Sequence, residues 1–318
     1  MNVTIVPRTG LILQSPVIAA SGTFGYGTEF AERMDLCGLG AMVCKGTTRE
    51  PRAGHEPLRV VETPAGMLNA IGLQNIGVEA VIREKAPIWA GWSVPVLVNV
   101  SGDTVDDYCY VASRLDGVAG VAGIELNVSC PNVRTGGVLF GVEPRLAGEV
   151  TAAVRAATEL PLIVKLSPNV TDIREIAAAV AGAGADAISL INTVYGMAID
   201  RKRRAPVLAN RFGGLSGPGI KPYALYLVYQ VAQEVSVPVI GMGGILTWED
   251  AAEFLLAGAT AVEMGTALMV DPTSWLSVVR GLDTWLVREG VRNLDEIVGA
   301  ANPSFNRKAG ELPLAGNG

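Results

Sequence analysis

Short runs of apolar, mostly β-branched residues recur along the chain and alternate with segments rich in alanine and leucine. Each run is nearly continuous in apolar residues, which is typical of a parallel strand that is buried on both faces. The intervening segments place apolar residues at helical spacing. Eight runs therefore predict strands, at residues 16–21, 41–46, 95–100, 124–129, 162–167, 187–193, 238–244 and 261–266.

Eight strands that alternate with helices predict an α/β fold, a closed (β/α)8 or TIM barrel. A doubly wound sheet is the alternative, but eight βα units in line favour closure. The segment TWEDAAEFLLAG shows the helix signals best: Thr247 is the expected N-cap with Asp250 three residues later, and Gly258 ends the helix. The segment TDIREIAAAVAGAG repeats this design from Thr171.

Three segments fall outside this repeat. The first, VTIVPRTGLILQ, predicts an N-terminal β-hairpin at the bottom of the barrel. The other two, about 47–80 and about 194–222, are too long for plain connections. Both follow strands, so we expect them at the top, where barrel active sites are built. No linker is evident, and the chain is predicted to be one barrel domain over residues 1–318.

Composition and charge exclude some classes of protein. The 318 residues carry a net charge of −6, which argues against nucleic acid as a partner. No stretch approaches the run of about 18 apolar residues that a membrane helix needs, and the N-terminus does not resemble a signal peptide. We therefore expect a soluble, cytoplasmic protein without a membrane partner.

Cysteine and histidine usage limits the chemistry further. The four cysteines, Cys37, Cys44, Cys109 and Cys130, show no C-x-x-C spacing, so neither a metal site nor an iron–sulfur cluster is expected in this chain. The one histidine, His55, lies in the Pro/Gly-rich stretch EPRAGHEP and is interpreted as a solvated loop residue. Catalysis by Ser-His-Asp, Cys-His or His-metal sites is accordingly disfavoured.

Most predicted strands end in a polar side chain. In this fold the carboxyl ends of the strands meet at one face and assemble the active site. Two lysines and three asparagines in such positions predict a site for an anion or a polar ring. These strand-end residues are Ser21, Lys45, Asn99, Asn127, Lys165, Asn192 and Thr193.

The last two strands end in glycines instead, at Gly243, Gly244 and Gly265, which is followed by Thr266. Exposed backbone N–H groups at the tops of these strands are where many barrels bind phosphate. The segment GGLSGPGIKP (213–222) adds another glycine loop. The pattern is not the G-x-G-x-x-G of a Rossmann NAD site.

Further amides occur in NAIGLQNIG (69–77), where Asn69 and Asn75 either reach a planar polar ligand or stabilise a turn. A phosphate site, two lysines and several asparagines together suit flavin mononucleotide (FMN) and a small planar anionic substrate. Cys130, in ELNVSCPNVRTGG, is either a small core residue or a reactive thiol. With no histidine available, its thiol is the candidate general base.

The motifs NVSCPN, NAIGLQN, INTVYGMAID, GGLSGPGIKP and GMGGI together resemble those of the dihydroorotate dehydrogenases, most closely the class 1B catalytic subunit. The likeness runs from about residue 3 to about residue 310. It implies an FMN-binding barrel, with one FMN per chain, that oxidises (S)-dihydroorotate to orotate in de novo pyrimidine (UMP) biosynthesis. Cys130 is then the base that removes the C5 proton, while C6 gives a hydride to flavin N5.

The resemblance also implies two sets of binding residues. The substrate set is Lys45, Asn69, Ile71, Gly72, Leu73, Asn127, Asn132, Asn192 and Thr193. The FMN set is Ser21, Lys45, Gly46, Asn99, Asn127, Lys165, Ile191, Gly217, Gly243, Gly244, Gly265 and Thr266.

Class 1B further implies a homodimer of this chain within a heterotetramer, whose second subunit carries FAD and a 2Fe–2S cluster and passes electrons to NAD+. Four alternatives stay open: a class 1A-like enzyme that uses fumarate, a dihydropyrimidine dehydrogenase-type reductase, an aldolase with a Schiff base on Lys165, and a non-catalytic phosphate-binding barrel. The basic run DRKRRAP (200–206) is interpreted as a solvated loop, with partner docking as the alternative.

Overall fold

The computed structural model describes residues 1–129 and 140–305. Its strands are β1 (Val3–Val6), β2 (Leu11–Leu13), β3 (Val17–Ala19), β4 (Ala41–Thr47), β5 (Val60–Thr63), β6 (Gly66–Asn69), β7 (Val96–Val100), β8 (Gly123–Asn127), β9 (Leu162–Lys165), β10 (Ala187–Leu190), β11 (Val194–Gly196), β12 (Ile199–Asp200), β13 (Ala205–Pro206), β14 (Gly213–Ser216), β15 (Val239–Met242) and β16 (Ala261–Met264).

The α-helices are α1 (Thr28–Ala31), α2 (Val78–Ala80), α3 (Ala86–Trp89), α4 (Val105–Leu115), α5 (Pro144–Ala157), α6 (Ile173–Gly182), α7 (Lys221–Glu234), α8 (Trp248–Ala257), α9 (Thr266–Val270) and α10 (Ser274–Arg288). A π-helical segment, Val81–Lys85, joins α2 to α3. Short 3₁₀ turns lie at Phe140–Val142, Pro218–Ile220 and Leu294–Glu296. No helix of the described ranges is long and apolar enough to cross a membrane.

Eight parallel strands close into a barrel in the order β3-β4-β7-β8-β9-β10-β15-β16, with β16 paired to β3. Helices α4 to α8 each connect two consecutive barrel strands. Seven of the eight strands are buried along their whole length, and β4 is buried except for two residues near its end. This burial explains why the runs are continuously apolar rather than alternating. The predicted (β/α)8 barrel and its eight strands are confirmed.

Local signals place the helix ends. Thr247 and Asp250 form a reciprocal capping box at the start of α8, and Gly258 ends that helix in a left-handed conformation, as predicted. The start of α6 differs by one residue from the prediction. Asp172, not Thr171, is its N-cap, because the Asp172 carboxylate accepts the backbone N–H of Arg174 at 3.0 Å.

The hairpin of β1 and β2 lies at the N-terminal end of the barrel, as predicted. The Arg8 guanidinium in its turn donates to Asp186 Oδ1 at 2.6 Å and to the Glu159 carbonyl at 3.2 Å. These two acceptors precede β10 and β9 respectively. The hairpin is thus held to the end of the barrel opposite the carboxyl ends of the strands.

The two long segments pair with each other. Strands β5 and β6 of the first segment and β11 and β14 of the second form an antiparallel sheet in the order β11-β14-β6-β5. The central pairing of β14 with β6 places Gly214 opposite Asn69 and Leu215 opposite Leu68. Since the segments leave the carboxyl ends of β4 and β10, this sheet lies at the top of the barrel, where they were predicted.

Candidate functional site

The carboxyl ends of the barrel strands surround a cavity of about 360 Å³, here called the first cavity. That volume is within the range of small-molecule and cofactor sites. The predicted site residues that line it are Ser21, Lys45, Gly46, Asn69, Ile71, Asn127, Lys165, Ile191, Asn192, Thr193, Gly217, Gly243, Gly244, Gly265 and Thr266. The fold therefore brings together side chains that are more than 240 positions apart in the sequence.

A second cavity of about 170 Å³ adjoins the first. Its wall contains Gly72 and Leu73, which do not line the first cavity. Five predicted residues line both cavities and form their shared boundary: Asn69, Ile71, Asn127, Asn192 and Thr193. The larger of these two spaces thus collects most of the predicted FMN set, and the smaller collects most of the predicted substrate set.

Four glycines and a threonine, here called the glycine cluster, form one part of the first cavity; they are Gly217, Gly243, Gly244, Gly265 and Thr266. Gly217, Gly243 and Gly244 have φ angles of 98°, 127° and 78°, a region that favours glycine. A Cβ atom on Gly244 would lie 2.9 Å from the Gly217 carbonyl oxygen. The loops approach so closely that side chains are excluded, and exposed backbone faces the cavity. Such a surface suits a phosphate group.

Buried charges lie beneath the first cavity. Lys165 of β9 is 4% exposed, and its Nζ atom lies 3.5 Å from Glu125 Oε2 and 3.7 Å from Glu263 Oε2. Nζ also donates to Ser21 Oγ at 3.2 Å. Burial alone would lower the pKa of Lys165, but attraction to the two carboxyl groups outweighs burial and raises it. Lys165 is therefore a permanent cation at the cavity wall.

The two carboxyl groups differ in their surroundings. Glu125 Oε2 accepts from Asn99 Nδ2 at 2.6 Å, and Glu125 Oε1 accepts from Ser189 Oγ at 2.9 Å. Glu263 has no hydrogen-bond partner within the described ranges. Burial, followed by repulsion from Glu125, raises the pKa of Glu263 well above its usual value of 4.5. One carboxylate is thus stabilised by donors, while the other is favoured in its neutral form.

Lys45 supplies a second cation at the rim. Its side chain leaves β4 near the strand end and lines the first cavity. Burial, followed by repulsion from Arg59, lowers the pKa of Lys45. A half-buried ammonium of this kind gains from an anionic ligand, which would replace the water that burial removes.

The loop of residues 69–73 is held rigidly at the boundary of the two cavities. The His55 backbone N–H donates to the Ile71 carbonyl at 2.9 Å, and His55 Nδ1 lies 3.1 Å from the Ala70 carbonyl. Asn75 Nδ2 donates to the Leu73 carbonyl at 2.7 Å. Asn75 is buried and stabilises this turn, while Asn69 reaches the cavities. His55 is half-buried and lines the second cavity, which differs from its interpretation as a solvated loop residue.

One predicted residue of the described ranges, Asn99, lines neither cavity. Asn99 is buried and contacts Glu125, and its Oδ1 atom accepts from Asn127 Nδ2 at 3.5 Å. Cys130 and Asn132 lie outside the described residues. Ser129, which precedes Cys130, lines the second cavity and donates from Oγ to the Lys165 carbonyl at 3.2 Å.

Sequence reasoning missed several side chains at the site. Glu125 and Glu263 are single charged residues inside apolar strands, which is itself a signal, because an unpaired buried carboxylate is costly. Asn169 lines the second cavity, donates to the Thr193 carbonyl at 3.0 Å and accepts from the Tyr195 N–H at 3.0 Å. Its signal is the turn sequence SPN that follows Lys165. The basic residues 201–204 are exposed, as predicted for a solvated loop.

Comparison with known proteins agrees with this arrangement. The model of the family described as dihydroorotate dehydrogenase matches residues 4–286. The chain is 55% identical over 299 residues to the dihydroorotate dehydrogenase B (NAD(+)), catalytic subunit, of Desulforudis audaxviator, covering 94% of this chain and 97% of that protein. The subunit of the same name from Pelobacter propionicus is 56% identical over 295 residues, covering 93% and 97%. That of Desulforamulus reducens is 52% identical over 303 residues, covering 95% and 100%.

Proposed function

Because this chain belongs to the dihydroorotate dehydrogenase family, we propose that it oxidises (S)-dihydroorotate to orotate in pyrimidine biosynthesis. The observation that carries the proposal is the pair of adjoining cavities. They share a boundary of amide side chains, and the larger one combines a glycine cluster with a buried lysine. A cofactor and a planar substrate in these two spaces would be in contact across that boundary.

We assign one FMN to the first cavity. Its phosphate is assigned to the glycine cluster, which lines this cavity and in which a Cβ atom on Gly217 or Gly244 would collide with neighbouring protein atoms. At the other part of the wall, Lys165 presents a fixed positive charge. Such a charge suits the N1/O2 edge of a flavin, where negative charge accumulates on reduction. When bound, FMN supplies the acceptor of the hydride.

We assign the substrate to the second cavity. Asn69, Asn127 and Asn192 offer amide donors and acceptors that match a pyrimidine ring, and Thr193 lies beside them. Backbone groups of residues 71–73 line the same space, and Lys45 lies close by in the first cavity to neutralise the substrate carboxylate. Asn132 completes the set that the resemblance implies. Asn169 supports this wall by holding the Thr193 carbonyl.

We assign the role of base to Cys130. The Cys130 thiolate would take the proton from C5 of dihydroorotate, and bound FMN would supply the acceptor for the hydride that leaves C6. The NVSCPN motif, which contains Cys130, carries this assignment. A positioned base contributes about 10²- to 10⁴-fold to the rate.

Electrons then leave the chain through a partner. The relatives are named as NAD(+)-dependent catalytic subunits, which implies a second subunit. We propose that this partner carries FAD and a 2Fe–2S cluster and that two copies of each subunit form a cytoplasmic heterotetramer. Residues 200–206 are a surface that such a partner could contact.

Anaerobic mixing with dihydroorotate tests the assignment. The purified chain is expected to show flavin absorption, which dihydroorotate bleaches in proportion to orotate formed. Cys130→Ala should retain flavin but lose bleaching by at least about 10²-fold, the lower value for a positioned base. The matched control is Cys37→Ala, because Cys37 is exposed and precedes β4 at the other end of the barrel. Undiminished turnover of Cys130→Ala would refute the assignment of the base.

Ligand affinity separates the alternatives. A charged hydrogen bond to the carboxylate is worth about 1.5–3 kcal/mol, so orotate should bind more tightly than uracil by more than about tenfold. Equal affinities would favour a dihydropyrimidine dehydrogenase-type reductase. Rapid reoxidation of the reduced chain by fumarate, without a partner subunit, would favour the class 1A-like alternative. Borohydride trapping of a substrate adduct on Lys165, in protein that lacks flavin, would support an aldolase.

A further inference from the structure

Glu263 is a buried acid to which the proposed function assigns no role. It lies on β16, where its neighbours are Met242 of β15 and Ile18 of β3. It is 1% exposed and lines the first cavity. Neither of its carboxyl oxygens has a hydrogen-bond partner in the described part of the chain. A carboxylate in this position would be poorly solvated, so its chemical state requires an explanation.

The charges that face Glu263 come from two other strands. Glu125 projects from β8 and Lys165 from β9, whereas the adjacent strands β3 and β15 contain only apolar residues. If both carboxyl groups were ionised, the enclosed cluster would carry one net negative charge. If one were protonated, Lys165 would be matched by a single carboxylate. Burial in a protein interior strongly favours the matched state.

The hydrogen bonds decide which acid holds the proton. Glu125 accepts from Asn99 at 2.6 Å and from Ser189 at 2.9 Å, and its Oε2 atom is 3.5 Å from Lys165. Both carboxyl oxygens of Glu125 thus have a hydrogen-bond donor. Glu263 has the more distant ammonium, at 3.7 Å, and the carboxyl group of Glu125, to which a protonated Glu263 can donate. The proton therefore belongs on Glu263.

We propose that Glu263 is a positioning residue that stays protonated beneath the bound flavin, so that Lys165 pairs with Glu125 alone and the three-residue cluster is electrically neutral. Ionised Glu263 would instead oppose negative charge on the reduced flavin and weaken the effect of Lys165. This inference rests on the proposed function, because it places the flavin in the first cavity. The inference gives Glu263 a role in setting the net charge of the cluster, although Glu263 touches no reacting atom.

Infrared difference spectroscopy of the holoprotein tests the protonation state directly. At neutral pH we expect a carbonyl band of a protonated carboxylic acid that shifts in heavy water. The band should vanish in Glu263→Gln and persist in Glu159→Gln, the control, whose side chain is 90% exposed. Loss of a carboxylate band alone in Glu263→Gln would overturn the proposal. Absence of any solvent-sensitive acid band in the wild-type protein would overturn it even if the variant did not fold.

The oxidised-to-reduced equilibrium of the bound flavin gives a second readout. Because glutamine mimics a neutral acid, Glu263→Gln should change the equilibrium constant less than threefold. Glu125→Gln removes a true negative charge and should favour reduced flavin by more than tenfold, about 30 mV for a two-electron couple. A shift in Glu263→Gln as large as in Glu125→Gln would refute the proposal. Protein without flavin colour would instead refute the proposed function, and the infrared result would still decide the state of Glu263.

Discussion

Alanine at position 244 is expected to weaken both the fold and the proposed phosphate site. Gly244 has a φ angle of 78°, so any side chain there is strained by about 1–2 kcal/mol. In addition, the new Cβ atom would lie 2.7 Å from Lys221 Cβ and 2.9 Å from the Gly217 carbonyl oxygen. Overpacking of this kind costs about 1–3 kcal/mol. Together the two effects predict that Gly244→Ala lowers the free energy of unfolding by about 2–5 kcal/mol.

The matched control is Gly290→Ala. Gly290 has a similar φ angle of 71°, but an added Cβ atom would meet no other atom within 4 Å. This variant therefore carries the backbone strain without the overlap, and its free energy of unfolding should fall by only about 1–2 kcal/mol. Urea denaturation of both proteins measures the difference.

The affinity for FMN gives the more specific result. We expect the overlap in Gly244→Ala to displace Gly217 or Lys221, and FMN binding would have to reverse the displacement of the Gly217 loop. The same 1–3 kcal/mol of overlap should then weaken binding by about 5-fold to 140-fold, since about 1.4 kcal/mol corresponds to a factor of ten. Gly290→Ala should bind FMN with unchanged affinity. Wild-type affinity in Gly244→Ala, measured by fluorescence titration of FMN, would refute the assignment of this loop to the phosphate.

Three other changes test the buried cluster and the helix signals. Replacing Lys165 with Met should lower the free energy of unfolding by about 3–5 kcal/mol, because Glu125 loses its counter-charge. The variant should also fail to retain FMN. A stable, yellow variant would contradict the pairing of Lys165 with Glu125. Thr247→Ala should cost about 1 kcal/mol in urea denaturation through loss of the α8 cap and leave FMN affinity unchanged. Because the pKa of Glu263 is raised on folding, its contribution to stability is complete below about pH 4.5 and is lost as pH rises towards the folded pKa. Stability of the wild type relative to Glu263→Gln should thus fall across this window, by at most about 1.4 kcal/mol per pH unit; parallel curves would contradict it.

The sequence alone predicted the strands and the polar residues at the strand ends because both depend on local signals. A strand buried on both faces must be apolar along its whole length, and a polar residue at its end marks the point where the chain leaves the barrel. Lys45, Asn127 and Asn192 could be identified in this way. The roles of these residues and the prediction of a single domain stay proposals.

The sequence could not show which charged residues from distant strands lie close together. Glu125, Lys165 and Glu263 lie in three different strands, and their distances follow only from closure of the barrel. In a strand buried on both faces, the usual alternation of polar and apolar residues is missing, so the pattern does not tell which side chain points inward. A single acid within such a run is nonetheless informative, because it must either pair with a cation or keep its proton. In our proposal Glu125 pairs with the cation, whereas Glu263 keeps its proton. The donors Asn99 and Ser189, rather than the acids themselves, set that difference.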